Sequence, residues 1–199
     1  MKLLHLAAAA AIALLAAGCV PDRMSLEPYG ICSMPEKCTF SGKCETYHLG
    51  AIGYANAAGP YWLEAAVELR NQVQNNGDVN TGRANSNDAH VTGVELEIDG
   101  PATGNISQDV GNQQVPAGGT AVVWTYLLPP AAIQPLPSGT YTVTVRYVGY
   151  YDSGREFKTG DFPVGVEVTS AAVGYTCADP AKVITCGNFQ QNLNACGAP

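Results

Sequence analysis

The chain has 199 residues, 46% hydrophobic and 14% charged, with 10 Lys and Arg against 17 Asp and Glu for a formal net charge of −7. That length supports one domain with a real core, and the acidic balance repels phosphate backbones, which excludes nucleic acid as an expected partner. Gly (22), Pro (13) and Tyr (10) are plentiful while charge is sparse, the texture of a turn-rich β-domain outside the cytoplasm.

In chain order, the first segment carries Lys2, an apolar run from Leu3 to Ala17, and the sequence Ala16-Ala17-Gly18-Cys19. A short basic region, an apolar stretch and small residues before a cut site make a secretory signal peptide. As a helix the run would rise only about 22 Å, short of the roughly 30 Å hydrocarbon core, so a spanning anchor is not expected. The segment resembles the signal peptide of bacterial lipoproteins. That family usually has Leu three residues before the cysteine; here Ala16 holds the position and Leu15 precedes it. The resemblance implies that residues 1–18 are removed and that Cys19, now first in the chain, is lipidated and ties the protein to a membrane. Val20, where an Asp would retain the protein at the inner membrane, implies sorting to the outer membrane.

The other six cysteines fall into two clusters, Cys32, Cys38 and Cys44 before the central region and Cys177, Cys186 and Cys196 after it. An oxidising compartment makes disulfides their default state. Each cluster is odd, so pairing all six requires at least one bridge between the clusters. Chain-entropy arithmetic assigns a closure of that span up to about 5 kcal/mol. Zinc is disfavoured, because no C-x-x-C occurs and the spacings are x5, x5, x8 and x9. Connectivity is left open among fifteen possibilities.

Residues 19–44 read as a lipid-anchored lead, part tether and part disulfide knot, and 45–170 as the folded domain. In Trp62–Val73, Leu63, Ala65, Val67 and Leu69 alternate with Glu64, Glu68, Arg70 and Gln72, the period of a half-buried strand. His90–Asp99 repeats the pattern, with Val94, Leu96 and Ile98 against Glu95, Glu97 and Asp99. Thr120–Leu128 is apolar on both faces, which places it centrally. In Thr140–Tyr151, Tyr141, Val143, Val145 and Tyr147 form one face, and Phe162, Val164, Val166 and Val168 do so against Gly165, Glu167 and Thr169. Weaker strands are expected over Thr46–Tyr54 and Gly104–Asp109. About seven strands and no long helical pattern predict an all-β fold, a single antiparallel β-sandwich. Residues 171–199 form a cysteine-bearing tail, with a short helical turn near Asn188–Ala195, that parity folds back against the lead.

The stretch Leu136-Pro137-Ser138-Gly139-Thr140-Tyr141-Thr142-Val143-Thr144-Val145 resembles the turn and penultimate strand of immunoglobulin-like and fibronectin-III-like domains. The resemblance implies an Ig-like sandwich in which Tyr141 bonds its hydroxyl back to upstream backbone, a tyrosine corner. The internal Cys…Trp…Cys arrangement of antibody domains is missing, and Trp124 is expected to fill the core instead. Fold alone carries no function.

Chemistry is sparse. There is no G-x-S-x-G elbow and no H-E-x-x-H, and past residue 18 only His48 and His90 remain, both read as strand-edge residues rather than triad members. Glu64, Glu68, Glu95 and Glu97 alternate outward as ordinary solvated faces do. The loop Asn75–Asp88 offers Asp78, Asn80, Asn87 and Asp88 as oxygen ligands for calcium, but two carboxylates are few for such a site. Asx-turns in a long loop account for the same composition. Tyr147, Tyr150 and Tyr151 invite a sugar-stacking reading, yet alternation sends Tyr147 and Tyr151 to the core and leaves only Tyr150 outside. The expectation is therefore a non-catalytic, lipid-anchored cell-envelope or surface protein with a structural or protein-interaction role and no cofactor. A glycan- or calcium-binding module is the alternative, followed by an enzyme of unrecognised type.

Overall fold

The computed structural model of the chain describes residues 25–33, 35, 40–55, 63–75, 77, 87–99, 105–128, 137–169, 183–186 and 195–197. Every regular element among them is a strand: β1 (Leu26–Ile31), β2 (Ile52–Ala55), β3 (Leu63–Asn71), β4 (Ala89–Ile98), β5 (Asn105–Val115), β6 (Thr120–Leu128), β7 (Gly139–Tyr151), β8 (Glu156–Lys158), β9 (Phe162–Thr169), β10 (Val183–Cys186) and β11 (Ala195–Gly197). The smaller sheet runs β1-β3-β6; the larger runs β2-β9-β7-β4-β5, with β8 also paired to β7; β10 and β11 form a separate pair. All pairings in the smaller sheet are antiparallel. In the larger sheet β2 lies parallel to β9, Ile52 opposite Val166, which corrects the expectation of a wholly antiparallel arrangement. A parallel neighbour needs a long crossover, and the more than one hundred residues between β2 and β9 supply one.

The inward faces of the two sheets share one apolar cluster. Leu63, Val67 and Leu69 of β3 and Val123 and Leu127 of β6 belong to it together with Val94 and Leu96 of β4 and Val143 and Val145 of β7. The result is a sandwich-like, all-β body whose strands mostly follow the expected alternation: in β7, Tyr141, Val143, Val145 and Tyr147 are buried while Thr142, Thr144 and Arg146 between them are half-buried. Tyr147, fully buried, donates or accepts one hydroxyl hydrogen bond with Thr125 of β6 at 2.7 Å, a polar link across the core. Burial drives its hydroxyl pKa well above the ordinary value, partly offset by the Thr125 hydrogen bond. The Tyr141 hydroxyl donates to the Pro137 carbonyl at 2.7 Å, the hydrogen bond anticipated from the turn sequence.

Several expectations change. The range 19–44 contains β1, which pairs with β3 through Leu26–Asn71 to Ile31–Val67 and bulges between Pro28 and Gly30. Pro and the bulge hide this strand from a periodicity search, and both are tolerated because β1 ends its sheet. β6 is also terminal in its sheet rather than central. Trp124 does not fill the core: it is 41% exposed and packs edge-to-face on Phe40, with ring centroids 5.7 Å apart. Cys32 and Cys44 form a disulfide with Cα atoms 5.0 Å apart. With Ala66 they make a second apolar cluster, against which Phe40, Tyr47 and Val122 pack. The disulfide knot is thus a third layer on the outer face of the smaller sheet. The signal segment and Cys19, Cys38, Trp62, Asp78, Asn80, Cys177 and the turn at 188–194 lie outside the described residues, as does any packing of the tail against the lead; Ala195 opens β11.

Candidate functional site

The outer face of the larger sheet carries the most developed surface feature, and an irregularity in β4 builds it. Apolar positions run Ala89, Val91 and then Val94, Leu96, Ile98, a slip of one residue in the two-residue period. The register shifts between Val91 and Gly93 against both β5 and β7, which leaves Thr92 without a direct partner. A bulge of this kind re-aims its extra side chain and bends the strand. Opposite it, Val110 to Asn112 form the extra length of β5, where Gly111 adopts φ 74° in the left-handed region. On the other side Gly149 lies so close to β4 that a Cβ atom there would come within 1.9 Å of the His90 carbonyl oxygen.

These features frame a solvent-open cleft of about 700 Å³, lined by Thr92 of β4, Val148 to Tyr150 of β7, Gly154, and Glu156 to Lys158 of β8. Tyr150 is 39% exposed. His90, its cross-strand neighbour, stacks on it with ring centroids 5.1 Å apart and planes within 14°. The His90 ring is held at both nitrogens: Nε2 meets Asp152 Oδ1 at 2.6 Å and Nδ1 meets Asn112 Oδ1 at 3.0 Å. The Asp152 hydrogen bond raises the His90 pKa above its usual value; partial burial opposes this, and Asn112 and the charges of Asp152 and Asp88 add to it. An imidazolium can donate from both nitrogens at once, which a neutral ring cannot.

Beyond the cleft, the same face is a ladder of ion pairs. Lys158 Nζ donates to Glu95 at 2.5 Å, and Arg146 donates to Glu97 at 2.9 Å and to Asp161 at 2.5 Å. Glu95 and Glu97 therefore stand on a solvated face, as alternation implied. Glu68 does not. The knot covers it to 1% exposure, and its carboxylate accepts from the Cys44 N–H (2.8 Å), the Tyr47 hydroxyl (2.9 Å) and Arg70 Nε (2.9 Å). Burial pushes the Glu68 pKa up, but those three donors outweigh it and hold the group below the ordinary carboxylate value. Glu64 is half-buried, and burial raises its pKa.

His90 stands on a strand flanked by β5 and β7, not at a sheet edge. His48 precedes β2, with Nε2 3.3 Å from the Ala51 carbonyl. Of the calcium candidates, Asp88 uses one carboxylate oxygen to accept from the Ala117 N–H (2.9 Å) and the other to accept from Gln114 Nε2 (2.7 Å). Asn87 Nδ2 donates to the Gln74 carbonyl at 2.8 Å. Both residues thus tie the loop end to segments distant in the chain, whereas Asn75 makes the local Asx bond, its Oδ1 accepting from the Gly77 N–H at 2.9 Å. Tyr147 and Tyr151 are core residues and Tyr150 is exposed, as alternation required. Thr92, Asn112, Asp152 and Lys158 were not singled out from sequence. The available signal was the break in period between Val91 and Val94. Comparison of the chain with protein families, with curated proteins and with solved structures finds no match.

Proposed function

We propose that this is a non-catalytic, lipid-anchored protein of the cell envelope or surface, whose Ig-like sandwich presents a recognition surface away from the membrane. Its two termini are held by disulfide-bonded extensions. The observation that carries the reading is the cleft over β4, β7 and β8, where an exposed aromatic ring is braced by a fully hydrogen-bonded histidine. Recognition sites set rigid aromatic groups among a few oriented polar ones. The neighbouring carboxylates Glu95 and Glu97 are each engaged by a cation, an arrangement suited to a binding face rather than to acid–base chemistry.

Two further observations support parts of the proposal. The Cys32–Cys44 disulfide agrees with an oxidising, extracytoplasmic compartment. The Tyr141–Pro137 hydrogen bond agrees with the tyrosine corner of Ig-like domains. Several acyl chains on Cys19 would give a stable membrane hold where one would be marginal.

The test is purification of the full chain from its own membranes under gentle conditions, followed by mass analysis of the protein and of what accompanies it. The expected result is a chain beginning at an acylated Cys19 and retaining an envelope component that Tyr150→Ala loses. An unacylated chain recovered alone would overturn the proposal.

A further inference from the structure

We propose that the β4–β7–β8 cleft binds a saccharide unit, stacked on Tyr150 and hydrogen-bonded by Thr92, Glu156 and Lys158. This inference rests on the recognition reading above and narrows its ligand to one chemical class. The cleft holds polar groups that have no hydrogen-bond partner among the described residues. The Thr92 hydroxyl, the Tyr150 hydroxyl and the Glu156 carboxylate line it and make no side-chain hydrogen bond among the described residues. Lys158 spends one donor on Glu95 and has two left. Between them these groups offer hydroxyl, anionic and cationic partners around the exposed Tyr150 ring, with Phe157 also in the lining.

A sugar ring meets that combination. Its C–H face is apolar and lies against a π surface, while its hydroxyls both donate and accept. Glu156 would accept from a hydroxyl and Lys158 would donate to one, both as charge-assisted bonds. His90 stacks on Tyr150 but does not line the cleft, so it braces the ring from behind without blocking the approach. Holding the platform before the ligand arrives lowers the ordering cost of binding.

Other ligands fit less well. An extended peptide gains affinity by pairing with free strand backbone. The β7 backbone under the cleft is already paired with β4 on one side and β8 on the other. A polyanion meets Glu156, Glu95 and a net charge of −7. The volume of about 700 Å³ lies within the range of small-molecule sites, roughly 300–1,000 Å³.

The test uses the full chain in detergent on an array of neutral and N-acetylated oligosaccharides, with insoluble envelope polysaccharide as a second arm. Retention of at least one class is expected. Tyr150→Phe keeps binding within about twofold, whereas Tyr150→Ala lowers it at least tenfold and Lys158→Met at least fivefold, with melting temperatures unchanged. If Tyr150→Ala does not fold, the contrast between Tyr150→Phe and Lys158→Met carries the test. Binding to the polymer alone places the ligand in the envelope; binding to array sugars shows that a free oligosaccharide suffices. No retention by folded protein in either arm overturns the saccharide assignment, as does retention indifferent to the cleft variants. If a protein partner is instead captured from membranes in a Tyr150-dependent way, the saccharide assignment falls and the recognition reading stands.

Discussion

Glu68 and Arg70 show how far one residue's role depends on what lies above it. Alternation along β3 sends both outward, and both do leave the inner core. Yet Glu68 is closed over by the Cys32–Cys44 knot, while Arg70 bridges from its carboxylate to the Tyr47 hydroxyl and stacks over the Tyr29 ring at 3.0 Å. The carboxylate is the common acceptor that fastens the knot to the sheet. Replacing it with Ala strands the Cys44 N–H and the Tyr47 hydroxyl, and we expect a loss of about 2–3 kcal/mol. Because the folded-state pKa of Glu68 is lowered, its contribution is fully present above the ordinary carboxylate value and disappears as pH falls through the lower folded value. Denaturant unfolding of the protein and of Glu68→Ala should therefore differ at pH 7, with the difference narrowing as pH is taken progressively below the ordinary carboxylate value. Parallel profiles across that range would show that the carboxylate does not fasten the knot.

At the scale of the element, period-2 patterning located β3, β4, β7 and β9 to within a residue or two, because a half-buried strand writes its two environments directly into alternate positions; β6 is legible instead as a run apolar on both faces. β1, β8, β10 and β11 escaped. β1 is broken by Pro28 and a bulge, and the other three have only three or four residues, too short to show a period. The β4 bulge was legible as a phase slip, but its consequence was not: Thr92 gains meaning only when β7 and β8 are placed beside it. Gly149 is the backbone condition for that placement. A methyl group there meets a carbonyl oxygen, which cannot move aside without unpairing β4. Gly149→Ala should cost about 3 kcal/mol or more by chemical denaturation. Gly165→Ala in β9, where the nearest atom lies at an ordinary 3.4 Å, should cost about 1 kcal/mol or less. Equal losses at the two sites would rule out close approach as the reason for Gly149.

For the whole molecule, the Cys32–Cys44 disulfide sharpens the parity argument. Only Cys38 is left in the first cluster, so complete pairing sends it to one of the three cysteines of the tail. The β10–β11 register sets Ile184 opposite Cys196 and Cys186 opposite Ala195, which places those two cysteines one step apart across a strand pair. Disulfides need Cα atoms about 4.4–6.8 Å apart, the range of neighbouring strands. Non-reducing peptide mapping is expected to find Cys32–Cys44, Cys186–Cys196 and Cys38–Cys177. Two or more free thiols, apart from position 19, would sink the three-bridge scheme. What the sequence by itself determined was the β class, most strand positions, and which tyrosines of the 147–151 segment face inward, since each follows from local alternation. Only the tertiary structure decided that Glu68 is buried, that Trp124 is not, and that Thr92, Tyr150 and Lys158 share a cleft. Those outcomes depend on which layer or neighbouring strand covers a residue, and residues far apart in the chain supply that cover.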